Sequence, residues 1–249
     1  MSSIEILGCR VDGVGREAAV ERVIALVHGS APALVVTLGT EMVMEAQRNP
    51  RFRSTIENAA LVVCDTIGLL LISRMRGGPL RERVPGIALV EALGKRSQAH
   101  GLRFFLLGGR EGTAQRAATA LAAGGATIAG THHGYFPPED DARVASAVRD
   151  SGANILLAAL GSPKQELWLA QLLDTTGCKV GIGIGGTLDV LAGNVRRAPR
   201  LFQRLGLEWL YRLAREPWRW RRQLALPAFL LLALRESVQL HFSGGKTAG

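Results

Sequence analysis

Two hydrophobic rhythms alternate along the chain. Short, densely apolar runs read as strands: "ALVVTL" (33–38), "LVVC" (61–64), "RFFLLG" (103–108), "ATIAG" (126–130), "NILLAAL" (154–160) and "KVGIGIG" (179–185). They are β-branched or leucine-rich, the composition of strands. Between them, apolar residues return every three or four positions in "REAAVERVIALVH", "GIALVEALGKRSQAH", "GTAQRAATALAA" and "PEDDARVASAVRD", the spacing of helices with one buried face. Strand and helix in strict alternation predict an α/β fold: a Rossmann-like, mainly parallel sheet with flanking helices.

In such a sheet, ligands sit beyond the carboxyl ends of the strands, so chemistry is sought in the residues that follow each one. Those residues read "TLGTE" (37–41), "DTIG" (65–68), "GGREG" (108–112), "GSPKQE" (161–166) and "GGTLD" (185–189). In "GSPKQE", Ser162, Pro163 and Gln165 have the composition of a capped helix start, with Gln165 closing a capping box. The same helix start, with Lys164 beside it, suits a diphosphate. Gly108 and Gly109 allow either a tight turn or close backbone approach to phosphate. Asp65 fits a helix N-cap or a general base acting on a sugar hydroxyl, and Asp189 raises the same choice, with a sugar or ribose hydroxyl as partner. Gly181, Gly183 and Gly186 spell G-x-G-x-x-G, but within a strand and with no βαβ unit after it, which argues against a nicotinamide site. G-x-S-x-G, H-E-x-x-H and P-loop patterns do not occur, which removes the common hydrolase, zinc-protease and NTPase readings. The five histidines show no metal-ligand spacing beyond the adjacent pair in "THHGYF", which reads as a solvated loop pair, so no metal is expected, and no other cofactor is expected either.

Composition changes the picture at one end of the chain. Most of the formal charge of +9 falls between Arg196 and Arg222, in "RRAPRLFQRLGLEWLYRLAREPWRWRR". From Arg200 onward, Arg200, Arg204, Glu208, Arg212 and Arg215 fall near one helical face, and Leu201, Leu205, Trp209 and Leu213 near another, which predicts an amphipathic helix. Tryptophans and arginines then lead into the apolar run Leu224–Leu234, a composition suited to lying among lipid headgroups. That run is about half of the roughly 20 residues a spanning helix needs, and Pro227 interrupts it. The other structural explanation is a helix pair packed on the domain or in a homo-oligomer. The N-terminus has no signal-peptide pattern, and the three cysteines, far apart and in no paired motif, fit a reducing cytosol. The expected organisation is an α/β catalytic domain over 1–195 and a basic, membrane-associating appendage over 196–249. Nucleic acid is not an expected partner, because the tryptophans flank an apolar run rather than an open basic groove.

The order of these motifs, from "T-x-x-x-E" at Thr37–Glu41 with "NPRFR", through "D-x-I-G" at Asp65–Gly68, "ERVPGI", "GYF", "LGSPKQE" and "GIGGTLDVLAG", to the basic C-terminal segment, resembles the WecG/TagA/CpsF glycosyltransferase family (glycosyltransferase family 26). The likeness runs from about residue 5 to about residue 235. It implies inverting, metal-independent transfer of a sugar from a UDP-sugar, N-acetylmannosamine-type or hexose, in synthesis of cell-surface polysaccharide or teichoic acid. The implied acceptor is a polyprenyl-diphosphate-linked saccharide, and the implied place is the inner face of the bacterial plasma membrane. Carried over by position, Asp65 is the general base, Thr37 its neighbour in the reaction pocket, and Arg83 a contact to phosphate or acceptor. Gln165, Glu166 and Asp189 belong to the nucleotide-sugar pocket, with Gly185 and Gly186 permitting close approach. Arg212, Arg215, Arg219, Arg221 and Arg222 divide between lipid headgroups and diphosphate. This chain departs from the family pattern at Gly39, where asparagine is usual, at Thr66, where glycine is usual, and at Ala88, where aspartate is usual. Those changes leave open a second class of function, a non-enzymatic, membrane-associated scaffold with the same fold.

Overall fold

The structure, a computed structural model, describes residues 2–215 and 225–244. It opens on an antiparallel hairpin, β1 (Ser3–Ile6) and β2 (Cys9–Asp12), that the hydrophobic pattern does not reveal. The strands are short, and the turn places Leu7 and Gly8 at φ 50° and 72°, a left-handed turn without the Asn-Gly or Asp-Gly signature that announces one. Six strands then form the expected parallel sheet: β3 (Ala33–Leu38), β4 (Leu61–Cys64), β5 (Arg103–Gly108), β6 (Thr127–His132), β7 (Ile155–Ala159) and β8 (Val180–Gly183), in the order β4-β3-β8-β7-β5-β6.

Helices α1 (Arg16–Val27), α2 (Thr40–Ala46), α3 (Pro50–Glu57), α4 (Ile67–Met75), α5 (Gly86–Lys95), α6 (Thr113–Ala123), α7 (Asp141–Asp150) and α8 (Lys164–Leu172) join the strands, and α9 (Thr187–Leu191) follows β8. The period of two in each strand sorts side chains onto two faces. Val35, Val63, Leu106, Leu157 and Ile182 pack under α1, α5 and α6. Val36, Leu38, Val62 and Cys64 face the hairpin and α2–α4, while Phe105, Leu107 and Leu156 face α7 and α8. Both faces are therefore dry along β3, β4, β5, β7 and β8, while the edge strand β6 has no buried residue.

The basic segment departs from its expected form. In place of one amphipathic helix there are two, α10 (Arg200–Leu205) and α11 (Glu208–Arg215), separated at Gly206. Gly206 takes φ 72°, and a Cβ there would lie 2.8 Å from Cβ of Ile67, so the left-handed break is built around a missing side chain. The last helix, α12 (Ala225–Gly244), returns to the domain. Its Phe229 and Ala233 are fully buried in the core beside α4 and the hairpin. Arg76, at the end of α4, donates to Glu236 (2.6 Å), the Ala233 carbonyl (2.8 Å) and Ser237 Oγ (2.7 Å), and the Leu7 amide donates to Glu236 (3.0 Å). No described helix is long and apolar enough to cross a membrane.

Candidate active site

A cavity of about 880 Å³ opens where the carboxyl ends of β3, β4, β5, β7 and β8 converge. Thr37, Asp65 and Arg83 stand on the side of β3 and β4; Gly109, Lys164, Gln165, Gly185, Gly186 and Asp189 stand on the side of β5, β7 and β8. Residues far apart in sequence are thus brought to one space by the sheet order.

Thr37 is half of a fixed strut: its hydroxyl donates to the Gly183 carbonyl at 2.8 Å, tying β3 to β8 at the cavity floor. Asp65 follows β4 directly, and its amide donates to the Leu38 carbonyl at 3.0 Å. The N-cap of α4 is the next residue, Thr66, so the capping explanation for Asp65 does not hold. Arg83 is gripped by the C-terminal segment: it donates to the Gln203 carbonyl at 2.6 Å and pairs with Glu208 at 3.5 Å.

The capping box in "GSPKQE" does not form. The N-cap of α8 is Pro163, after a cis Ser162–Pro163 peptide, and no side chain caps it. Gln165 instead turns inward, where its Oε1 accepts from the Gly185 amide at 3.1 Å and its Nε2 donates to Glu166 Oε1 at 2.6 Å. Glu166 itself does not line the cavity. It is wholly buried behind Gln165, and burial raises its carboxyl above the usual glutamate range, against hydrogen bonds that lower it. Gly183 makes the space for it: a Cβ there would lie 2.6 Å from Glu166 Oε1. Gly108 is also behind the wall, with its Cα so close to the Ala159 backbone that no side chain fits.

Two of the departures from the family pattern meet in space. A Cβ on residue 39 would lie 3.3 Å from Thr66 Cγ2, so the threonine methyl occupies the room in front of Gly39, and both residues line the cavity. Ala88 is half-buried in the first turn of α5 and is not part of the wall.

Of the arginines expected at lipid or diphosphate, Arg215 is exposed on α11, its guanidinium 5.8 Å from the centre of the Tyr211 ring, and it does not line the cavity. Arg219, Arg221 and Arg222 lie outside the described residues, as does the side chain of Arg212. The cavity adds residues to which the sequence analysis gave no role. Tyr135, exposed at the rim, and Phe136, whose ring has Lys164 Nζ 5.4 Å from its centre, come from the "GYF" motif; Glu41, Trp209 and Leu226 come from three separate helices. "GYF" was a visible signal, whereas nothing local distinguishes Leu226 from the other leucines of its run. Among the described residues, no three His, Cys, Asp or Glu side chains are grouped to hold a metal ion.

The sequence profile of the glycosyl transferase WecG/TagA/CpsF family matches residues 4–242. The chain is also similar to the N-acetylglucosaminyldiphosphoundecaprenol N-acetyl-beta-D-mannosaminyltransferase of Bacillus spizizenii, with 34% identity over 219 residues covering 85% of this chain and 84% of the relative.

Proposed function

Because this chain belongs to the WecG/TagA/CpsF family and is a glycosyltransferase, we propose that it transfers a sugar, of the N-acetylmannosamine type, from a UDP-sugar to a saccharide on polyprenyl diphosphate. The reaction takes place at the inner face of the plasma membrane. The observation that carries this reading is the placement of Asp65 across one cavity from Gln165, Gly185 and Asp189. A carboxylate on one wall faces exposed backbone and polar groups on the other, as a base and a nucleotide site must. The Bacillus spizizenii relative supports the sugar and the acceptor, which its name specifies.

The chemistry is a single displacement. Asp65 takes the proton of the acceptor hydroxyl as its oxygen forms a bond to the anomeric carbon. The bond from that carbon to the UDP oxygen breaks on the opposite face, which inverts the configuration. Asp189 holds a hydroxyl of the nucleotide ribose, while Gly185 and Gly186 let the diphosphate approach the backbone. Lys164 and Arg83 offset the charge that builds on departing UDP. Arg83 must exchange at least part of its contact with Glu208 for that of the ligand.

The test is UDP release from a panel of UDP-sugars, with a polyprenyl-diphosphate-linked sugar acceptor in anionic liposomes. Asp65→Asn keeps the shape of the side chain and removes the base, so acceptor-dependent release should fall by about 10²–10⁴-fold. An unchanged rate would remove Asp65 from the mechanism, and silence of the unaltered protein across all donors would overturn the reading.

A further inference from the structure

Two helices leave the cavity side by side, and both expose apolar side chains that the proposed sugar chemistry does not use. Gly68 on α4 faces Leu226 and Phe229 on α12, where a Cβ would meet them at 3.5 and 3.4 Å. At the other end of α4, Arg76 bonds the Ala233 carbonyl, Glu236 and Ser237. The two helices therefore run parallel, both with their first turns at the cavity, where Ile67 and Leu226 form part of its wall.

Helical geometry then fixes which side chains share the outer side of this pair. On α4 the line facing α12 is Gly68, Ile72 and Arg76, and Leu71 and Met75 lie one step around toward solvent. On α12 the facing line holds Phe229, Ala233 and Glu236, and the step toward the same solvent side brings Leu230, Leu234 and Val238. Leu71 is 46% exposed, Met75 63%, Leu234 40% and Val238 55%, with Leu231 beyond them at 70%. These residues make an apolar track that begins at the wall holding Ile67 and Leu226 and runs about 12 Å along α4 and about 18 Å along α12. Arg74 and Arg235, both exposed, belong to the same two helices.

We propose that this track between α4 and α12 binds the polyprenyl chain of the acceptor as it leaves the cavity. The inference rests on the acceptor class given above, which carries its diphosphate and its long hydrocarbon on one molecule. With the diphosphate held near Asp65, the hydrocarbon must exit, and an apolar strip continuous with the cavity wall lowers the cost of its exposure to water. Among the described residues the track is open along its length, so chains longer than the helices are accommodated.

The test separates chain binding from catalysis. Affinities for undecaprenyl diphosphate and for dimethylallyl diphosphate, whose single isoprene unit is too short to reach Met75 or Val238, are measured in detergent micelles by intrinsic tryptophan fluorescence. The proteins compared are the full chain, Leu71→Gln/Met75→Gln and Leu234→Gln/Val238→Gln, each checked for folding by circular dichroism. The full chain should prefer the longer chain, and each double variant should lose about tenfold in affinity for it while its affinity for the short chain moves less than twofold. Retained preference for the long chain in both variants overturns the proposal. So does a loss confined to sedimentation with phosphatidylglycerol vesicles free of polyprenyl lipid, which would assign the strip to the bilayer surface. Sugar transfer assayed on the same samples reports separately on the reaction: its absence would count against the proposed function and leave the affinity comparison standing.

Discussion

Glu166 shows how a single buried carboxyl shapes the site without touching it. Its Oε1 accepts from Gln165 Nε2, which forces the other end of that amide toward the Gly185 amide. The orientation of a cavity-lining glutamine, and with it the backbone proposed to meet diphosphate, is thereby set from behind. The cost is desolvation of a carboxylate, which raises its pKa in the folded state. A raised folded-state pKa means that the folded protein binds the proton more tightly than the unfolded chain. This contribution to stability is full below the ordinary glutamate pKa and is lost as pH climbs through the folded value. Glu166→Gln should remove that slope: thermal unfolding from pH 4 to pH 8 should show unaltered protein losing stability relative to the variant as pH rises. Glu166 and Gln165 are adjacent letters in "GSPKQE", yet one faces the cavity and the other the core. The motif predicts that both matter, whereas their division of labour depends on β8, where Gly183 leaves the space.

At the scale of elements, the break between α10 and α11 decides where Arg83 points. Periodicity alone favours a continuous helix from Arg200, since leucines and arginines keep their faces across Gly206. The continuous helix loses because residue 206 abuts Ile67 on α4, where only a glycine fits. Once the chain turns there, the Gln203 carbonyl and the Glu208 carboxylate both reach Arg83. Gly206→Ala should therefore cost about 1–2 kcal/mol in urea denaturation, from the left-handed backbone and the contact with Ile67 together. It should also lower kcat more than it raises KM for the donor, because Arg83, which offsets the charge that builds on departing UDP, loses its fixed position; an unchanged kcat would show that the break does not set that position. The short hairpin β1–β2 was hidden for a related reason, as its register depends on packing beneath α3 and α4 and on the bond from the Leu7 amide to Glu236.

For the whole molecule, the joint between the sheet domain and the last helix is a polar clamp set in an apolar seam. Arg76 and Glu236, with side chains 10% and 26% exposed, form its centre. Removing the arginine takes the ion-pair partner from Glu236, leaving it the Leu7 amide, and takes one bond each from the Ala233 carbonyl and Ser237. Arg76→Ala should destabilise the protein by about 2–3 kcal/mol, with hydrogen exchange over 225–244 accelerating before that of β3 and β8. Exchange that stays slow in α12 would show that burial of Phe229 and Ala233 alone holds it. The sequence by itself determined the alternation of strand and helix, the mainly parallel sheet and the positions of the loops that carry Thr37, Asp65, Gln165 and Asp189. Periodicity and chain connectivity are local properties, and a parallel sheet sends every such loop to one edge. Only the tertiary structure decided that Glu166 and Gly108 stand behind that wall, that Arg83 answers to Glu208, and that Leu226 joins the cavity while Phe229, three residues on, is buried. Those outcomes depend on which surfaces meet, and the energy of a contact between distant segments is not written in either segment alone.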